Sequence, residues 1–272
     1  MRESDLTACG VLAADRGWPP EQNKWRLLLG ACEAYGIDDP ADGLAATIVL
    51  TRYGRQLASV GMMLVASRFG RAGLGRRVLV HVLGLADPAV VYLAATSYSR
   101  ALCEDLGFRA IDTVDRHAGQ FVPERRAEPL SRVRPVANCD LSYLAAVDLR
   151  VFGADRWPLL TPLFGVAERA LVAEDQHGVP VGFAACWRNE QDLVVGPLVG
   201  GSTATARSLV AAAAAGVGGP VRVDIRGCHA ELARWAISRG LIRCWHATLM
   251  VRGGELPGNR DELFAPICGA TG

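Results

Sequence analysis

The chain repeats itself at a fixed interval, and this repeat limits the folds that it can adopt. Three landmarks return 135 positions later: Asp5-Leu6 as Asp140-Leu141, Gly43-Leu44 as Gly178-Val179, and Gly61 as Gly196. A constant offset at three places predicts two copies of one fold. We therefore expect two domains, residues 1–124 and 125–272, with the polar stretch 123–135 holding the boundary.

Composition narrows the class of protein and its partners. Half of the 272 residues are hydrophobic and 21% are charged, which fits a globular protein with a sizeable core. The net charge of +1 argues against a nucleic-acid partner, since nucleic-acid binders carry a basic excess. No apolar run reaches the roughly 18 residues of a membrane span, and the N-terminus lacks the apolar part of a signal peptide. We expect a cytoplasmic monomer or homodimer that acts on a small molecule.

The eight cysteines stand apart from one another in the sequence. They form no C-x-x-C pair and show no spacing typical of metal ligands. Most have apolar neighbours, which favours free thiols in a reducing compartment. The sequence therefore predicts no metal site.

Both halves mix strands and helices, which predicts an α+β fold. In the first half we predict helices over 5–12, 24–34, 76–85 and 99–106, and strands over 44–52, 57–65, 90–94 and 108–116. In the second half we predict strands over 132–136, 169–174, 180–188, 192–199, 221–225 and 243–251, and helices over 141–152, 204–215 and 230–238. The first half lacks an opening strand, so its start is either truncated or dispenses with that strand.

Residues 57–80 carry the clearest functional signal. An apolar strand ends at Val65, and a loop with Gly70, Gly73 and Gly75 leads into a helix. Glycines let the backbone approach a ligand closely, and the first amides of a helix have no partner inside it. With the arginines 71, 76 and 77 nearby, this arrangement predicts a phosphate or pyrophosphate site. The spacing G-x-x-G-x-G disfavours a dinucleotide-binding oxidoreductase, whose loop has G-x-G-x-x-G.

The same residues resemble a known family. The strand, followed by GRAGLGR at 70–76, resembles the acetyl-CoA site of the GNAT N-acetyltransferases, and ALCEDLGF at 101–108 is similar to the A-L-Y-E-K-L-G-F segment of that family. The second half begins with RVRPVANCDLSYLAAVD, which is also similar to a GNAT start. The whole chain thus resembles a tandem GNAT protein with a degenerate C-terminal copy. This implies two GNAT-like domains, each with a central mixed sheet flanked by helices.

The resemblance also implies a function and a set of binding residues. It implies an acetyl-CoA-dependent N-acetyltransferase, in which the amine of a small molecule attacks the thioester directly. A strand amide near Leu64 would stabilise the oxyanion. The cofactor-binding residues that it implies are Met63, Leu64, Val65, Gly70, Arg71, Gly73, Gly75 and Arg76.

The sequence departs from the family pattern at two positions. Gly70 stands where the family has Arg or Gln, and Cys103 stands where it has a tyrosine that protonates the departing thiolate. Cys103 is therefore either the proton donor or a small apolar helix residue, and Tyr98 is a second candidate donor. The departure also supports another hypothesis, a non-catalytic acyl-CoA sensor or scaffold.

The remaining candidates concern the acceptor and the second half. Trp18 lies where the family builds its acceptor site, and it either lines that pocket or packs in the core. Asp148 and Arg156 would bind an amine and a carboxylate of the acceptor, or they form a structural ion pair. The second half has no arginine before Gly200 and lacks the phosphate loop, so we expect one CoA site in the chain.

Overall fold

The computed structural model describes residues 1–41, 43–87, 89–124 and 131–271. In the first half its helices are α1 (Leu6–Asp15), α2 (Gln22–Ala31), α3 (Leu74–Ala86) and α4 (Arg100–Asp105). The strands of this half are β1 (Glu33–Asp38), β2 (Leu44–Tyr53), β3 (Leu57–Val65), β4 (Val90–Ala95) and β5 (Arg109–Gly119).

The second half follows the same plan. Its helices are α5 (Leu141–Phe152), α6 (Trp157–Val166), α7 (Thr203–Ala214) and α8 (Ala230–Ser238). Its strands are β6 (Arg132–Pro135), β7 (Arg169–Glu174), β8 (Pro180–Asn189), β9 (Asp192–Gly200), β10 (Val221–Arg226), β11 (Ile242–Arg252) and β12 (Leu263–Ala265). The α+β class and the flanking helices are confirmed.

The predicted helix over 24–34 was too long. Helix α2 ends at Ala31, and β1 then pairs antiparallel with β2, with Ala34 opposite Val49. Pairing with a neighbouring strand outweighs the helical propensity of this short stretch, as tertiary context often does. Helix α6 and strand β12 are elements that the sequence did not predict.

The two halves share one sheet instead of forming two. The strand order is β1-β2-β3-β4-β11-β5-β10-β9-β8-β7-β6, and β12 pairs with β9. Each half therefore places its last long strand beside the other half: β11 pairs with β4, and β5 pairs with β10. The predicted boundary at 124 and 125 adjoins residues 125–130, which lie outside the described residues, so it stays a prediction.

The cores differ on the two faces of the sheet. On the face of α1, α2, α5 and α6 one apolar cluster runs across both halves, with Trp25 and Phe152 among its buried side chains. On the other face, α3 covers one cluster and α7 and α8 cover another. Val78, Leu79 and Val82 form an apolar stripe on α3 that is buried against the sheet.

Two of the three repeated landmarks mark equivalent places in the two halves. Asp5 and Asp140 each accept a hydrogen bond from the backbone N–H three residues earlier, at 2.7 Å, just before α1 and α5. Gly43 and Gly178 share a φ of 76° in matching turns, a conformation that favours glycine. The repeat predicted from the sequence thus corresponds to a repeat in structure.

Candidate functional site

Strands β3 and β4 separate halfway along their length. Their parallel pairing runs from Leu57 opposite Val90 to Val60 opposite Leu93, and both strands then continue without further pairs between them. At the separation β3 has a β-bulge at Met62, with a φ of 50°. The Thr47 hydroxyl donates to the Met62 carbonyl at 2.9 Å and holds the bulge. Within the described chain, the β4 side of β3 is left open to an extended ligand.

The backbone edge at this opening contains the predicted strand residues. Leu64 is buried, and Met63 and Val65 are partly buried on the side of α3. The structure therefore places Met63, Leu64 and Val65 where a strand-like ligand would add to β3.

The predicted glycine loop follows β3 and is anchored at its start. Asp15 accepts hydrogen bonds from the Ser67 amide at 2.6 Å and the Ser67 hydroxyl at 2.7 Å. These bonds lower the pKa of the Asp15 carboxyl. The Gly70 amide donates to the Ser67 carbonyl at 3.0 Å, and Arg71 then adopts a positive φ of 65°. The loop is thus a sequence of tight turns that brings the chain to α3.

Helix α3 begins with unpaired amides facing this loop. The first helical hydrogen bond runs from the Arg77 amide to the Gly73 carbonyl at 3.0 Å, so the amides of 73–76 precede it. Gly73 is the N-cap residue, has a φ of 78° and offers no side chain to cap them. Such a helix start favours an anion.

The arginines around the loop divide into paired and unpaired groups. Arg68 forms an ion pair with Asp39, and Arg76 forms one with Asp105 at 3.1 Å. Arg71 and Arg77 are exposed and have no ion-pair partner among the described residues. Gly75 lies in the first turn of α3, where an added Cβ would meet ordinary contacts. Positive charge at the loop is thus available to an anion.

The two candidate proton donors lie in opposite surroundings. Cys103 is fully buried in α4, and burial raises the pKa of its thiol to about 11. Tyr98 lies in the turn before α4, and 91% of it is exposed. At neutral pH the Cys103 thiol keeps its proton, while the Tyr98 hydroxyl is free to meet a ligand from solvent.

The predicted acceptor residues lie on the face of the sheet that α1 and α5 cover. Arg156 and Asp148 are both buried and form a bidentate pair with distances of 2.7 to 3.1 Å. The Arg156 guanidinium also stacks on Phe152 at 4.2 Å. Trp18 is partly buried, with the Lys24 ammonium 6.0 Å from its ring centre. The geometry of Asp148 and Arg156 is that of a structural ion pair, which was the alternative to a substrate role.

The corresponding opening in the second half is filled by the chain itself. Strands β9 and β10 pair only at Leu193 and Val194, and β12 then pairs with β9 at Leu198 and Val199 between them. Helix α7 is capped by Ser202, which accepts from the Thr205 amide at 3.1 Å. An open strand edge and an uncapped helix start thus occur together in the first half and not in the described part of the second half.

Residues 253–271, here called the return segment, run from the filled opening of the second half to the place in the first half where β3 and β4 separate. After β12 this segment crosses to the first half, where the Ser59 hydroxyl donates to the Ala270 carbonyl at 3.1 Å. The Tyr92 hydroxyl donates to the Thr271 carbonyl at 3.0 Å. An added Cβ on Gly61 or Gly196 would collide with the return segment, so the segment can pass this close only because both residues lack a side chain.

A small cavity of about 30 Å³ lies where β3 and β4 separate. It is lined by Ser59 and Tyr92 from those strands, by Arg226 at the end of β10, and by Arg260 and Cys268 of the return segment. No carboxylate and no histidine is among the described residues that line it. The part that the return segment plays in this cavity was not predicted from the sequence. The apolar run at 263–268, beyond the last predicted strand, was a signal for a further element.

Comparison with known proteins agrees with this architecture. A family model described as an acetyltransferase (GNAT) domain matches residues 144–265. The uncharacterised N-acetyltransferase YitH of Bacillus subtilis (strain 168) is 26% identical over 274 positions, which cover 100% of this chain and 97% of that protein. Residues 144–265 thus match a GNAT acetyltransferase domain, and the chain as a whole is similar to an N-acetyltransferase. These similarities support acyl transfer as the reaction class of the chain.

Solved structures share the fold of this chain. A structure from Pyrococcus horikoshii, described as that of an acetyltransferase, has a TM-score of 0.82 at 19% identity and covers 100% of this chain and 94% of that chain. A tandem GNAT protein from the clavulanic acid biosynthesis pathway has a TM-score of 0.60 at 15% identity, with coverage of 94% and 98%. None of the described helices has the length and apolar character needed to cross a membrane.

Proposed function

We propose that the chain transfers the acetyl group of acetyl-CoA to the amine of a small molecule, and that acetyl-CoA binds to the first half. The observation that carries this proposal is the contrast between the halves. The first half combines an open strand edge with an uncapped helix start, and the second half has a filled opening and a capped helix. The proposal extends to a cytoplasmic monomer or homodimer.

Each part of the donor matches a feature of the first half. The pantetheine would lie along Met63–Val65 and form hydrogen bonds with the open backbone edge. The pyrophosphate would meet the amides at 73–76 and the guanidinium groups of Arg71 and Arg77. Gly70 and Gly75 keep side chains out of the approach to this loop.

In the proposed reaction, the neutral amine attacks the thioester carbonyl where β3 and β4 separate. Holding both reactants in one geometry supplies much of the acceleration. A backbone amide near Leu64 stabilises the oxyanion. The departing thiolate takes a proton from Tyr98, whose exposed hydroxyl stands before α4, or from solvent, and the proton that the amine nitrogen loses passes to solvent, from which Tyr98 is reprotonated.

Isothermal titration of acetyl-CoA into the full chain tests donor binding. Gly73→Glu should abolish binding, because it places a carboxylate at the helix start where the phosphates sit. Gly178→Glu is the matched control, since Gly178 has a nearly equal φ of 76° and no atom near its Cβ position. Absence of binding to the wild-type chain at millimolar acetyl-CoA would reject the proposal.

A non-catalytic acyl-CoA sensor or scaffold is the second candidate. The buried Cys103 favours it, because a cysteine replaces the tyrosine implied by the family resemblance and its raised pKa makes it a poor acid. Acetyl-CoA binding without thiol release across a panel of amines would support the sensor. Turnover with any amine of the panel would exclude it.

A further inference from the structure

The cavity where β3 and β4 separate has an unusual charge balance. Four buried or half-buried arginines near it or in the central sheet each face a carboxylate: Arg116 with Asp224, Arg156 with Asp148, Arg222 with Asp224 and Glu21, and Arg226 with Asp112. Arg260 lines the cavity and has no such carboxylate partner among the described residues. Its positive charge is therefore not neutralised within the described protein.

Arg260 is nevertheless held firmly in place. Its Nε donates to the Pro257 carbonyl at 3.1 Å, and its guanidinium lies 4.0 Å from the ring centre of Phe152 and 5.5 Å from that of Tyr92. Stacking on two rings fixes the plane of the guanidinium. A group fixed in this way is preorganised for a planar partner.

One terminal nitrogen of Arg260 lacks a partner. Its Nη2 atom is buried and has no hydrogen-bond acceptor among the described residues. A buried donor without an acceptor is costly, and such groups in native proteins are nearly always paired. Burial lowers the pKa of Arg260, Tyr92 partly offsets this, and the nearby guanidinium groups of Arg156 and Arg226 lower the pKa further. An anion at this point would satisfy the donor and offset the repulsion.

We propose that Arg260 binds a carboxylate of the substrate in this cavity. This inference rests on the proposed function, and it narrows the substrate class to one in which a carboxylate lies close to the reacting group. The carboxylate belongs to the acceptor, as in an amino acid, or to the far end of a dicarboxylic acyl group on CoA. A guanidinium beside a planar carboxylate forms strong charge-assisted hydrogen bonds.

The first test needs neither CoA nor turnover. The guanidinium resonances of ¹⁵N-arginine-labelled full-length protein are titrated with acetate and, separately, with neutral acetamide; the Arg260 signal is assigned by its loss in Arg260→Gln. We expect a saturable shift of that signal with millimolar acetate and none with acetamide. An equal response to both compounds, or no response to acetate, would overturn the proposal. Because this readout is independent of CoA, it remains valid even if acetyl-CoA fails to bind.

The second test identifies the source of the carboxylate by thiol release. One arm compares amino acids with their amides as acceptors of acetyl-CoA, and the other compares acetyl-CoA with succinyl-CoA as donors. We expect a 10- to 100-fold preference for the carboxylate in one arm, as for a charge-assisted hydrogen bond, and its loss in Arg260→Gln. Arg55→Gln, an exposed hairpin arginine, is the control and should keep the preference. A preference in neither arm, or one that survives in Arg260→Gln, would overturn the proposal.

Discussion

Cys103 shows that the surroundings of a side chain determine its chemistry more than its position in a motif does. The motif places a cysteine where the family has a proton-donating tyrosine, and the sequence left its role open. In the structure the side chain is fully buried under α3, and its pKa is raised to about 11 by burial. A thiol of this kind packs as a small apolar group.

Replacement of Cys103 should therefore affect stability more than chemistry. We expect Cys103→Ala to leave the rate of thiol release unchanged and to lower the free energy of unfolding by about 1 kcal/mol, since a small buried group is lost. Parallel measurement of turnover and of urea unfolding checks both values. A loss of turnover of 100-fold or more, the typical size of a general-acid effect, would show instead that Cys103 donates the proton.

The ion pair between Arg134 and Asp140 ties strand β6 to the start of helix α5. The Asp140 carboxylate meets the Arg134 guanidinium at 2.7 and 3.0 Å and accepts from the Ala137 amide at 2.7 Å. The bonds to Arg134 and to this amide lower the pKa of Asp140 to about 2. The link between β6 and α5 therefore depends on the ionised form of the Asp140 carboxyl group.

Because of this dependence, the link between β6 and α5 should weaken in acid. The folded pKa of Asp140 lies below its unfolded value. Its contribution to the free energy of unfolding is therefore present above about pH 4 and is lost as the pH falls through about 2. Asp140→Asn should lower the free energy of unfolding at neutral pH by about 1–3 kcal/mol and flatten its fall in acid. Denaturant unfolding across this pH range measures both effects.

The exposed Asp87→Asn is the control for the acid experiment. Asp87 lies at the surface after α3, so its replacement should reproduce the wild-type curve. An Asp140→Asn curve that is parallel to that of the wild type through the acid range would contradict the assignment.

At the scale of the whole molecule, the halves are joined by exchanged strands and by a buried polar cluster. Glu21 before α2 accepts hydrogen bonds at 2.8 Å from Asn189 and from Arg222 in the second half, and it pairs with Lys24. All four side chains are buried. Because charges removed from water need their partners, this cluster holds the halves in one register.

Loss of Glu21 should destabilise the entire chain. We expect Glu21→Ala to lower the free energy of unfolding by about 3–5 kcal/mol, because it leaves buried positive charge without its partner. Lys24→Met is the matched variant and should change stability little, since burial already lowers the pKa of Lys24 to about 7. Guanidinium unfolding of the full chain compares the two. Equal effects of both variants would mean that Glu21 does not bridge the halves.

The local parts of the site could be predicted from the sequence. The apolar strand, the glycine loop and the stripe of α3 lie within 57–86, and their patterns depend on neighbours along the chain. The helix at 24–34 was overextended and β12 was missed, because both outcomes depend on pairing with another strand, which local patterns do not encode. The cofactor-binding and proton-donor assignments stay predictions.

The sequence alone determined the repeat of two α+β units, the resemblance to the GNAT acetyltransferases and the position of a candidate anion loop, because these follow from local spacing and composition. Only the tertiary structure decided that β5 and β11 exchange places, that β12 fills the second opening, and that Arg260 reaches the cavity of the first half. The physical reason is distance along the chain: Arg260 and Tyr92 meet through packing of the return segment, and no periodicity in the sequence encodes that contact.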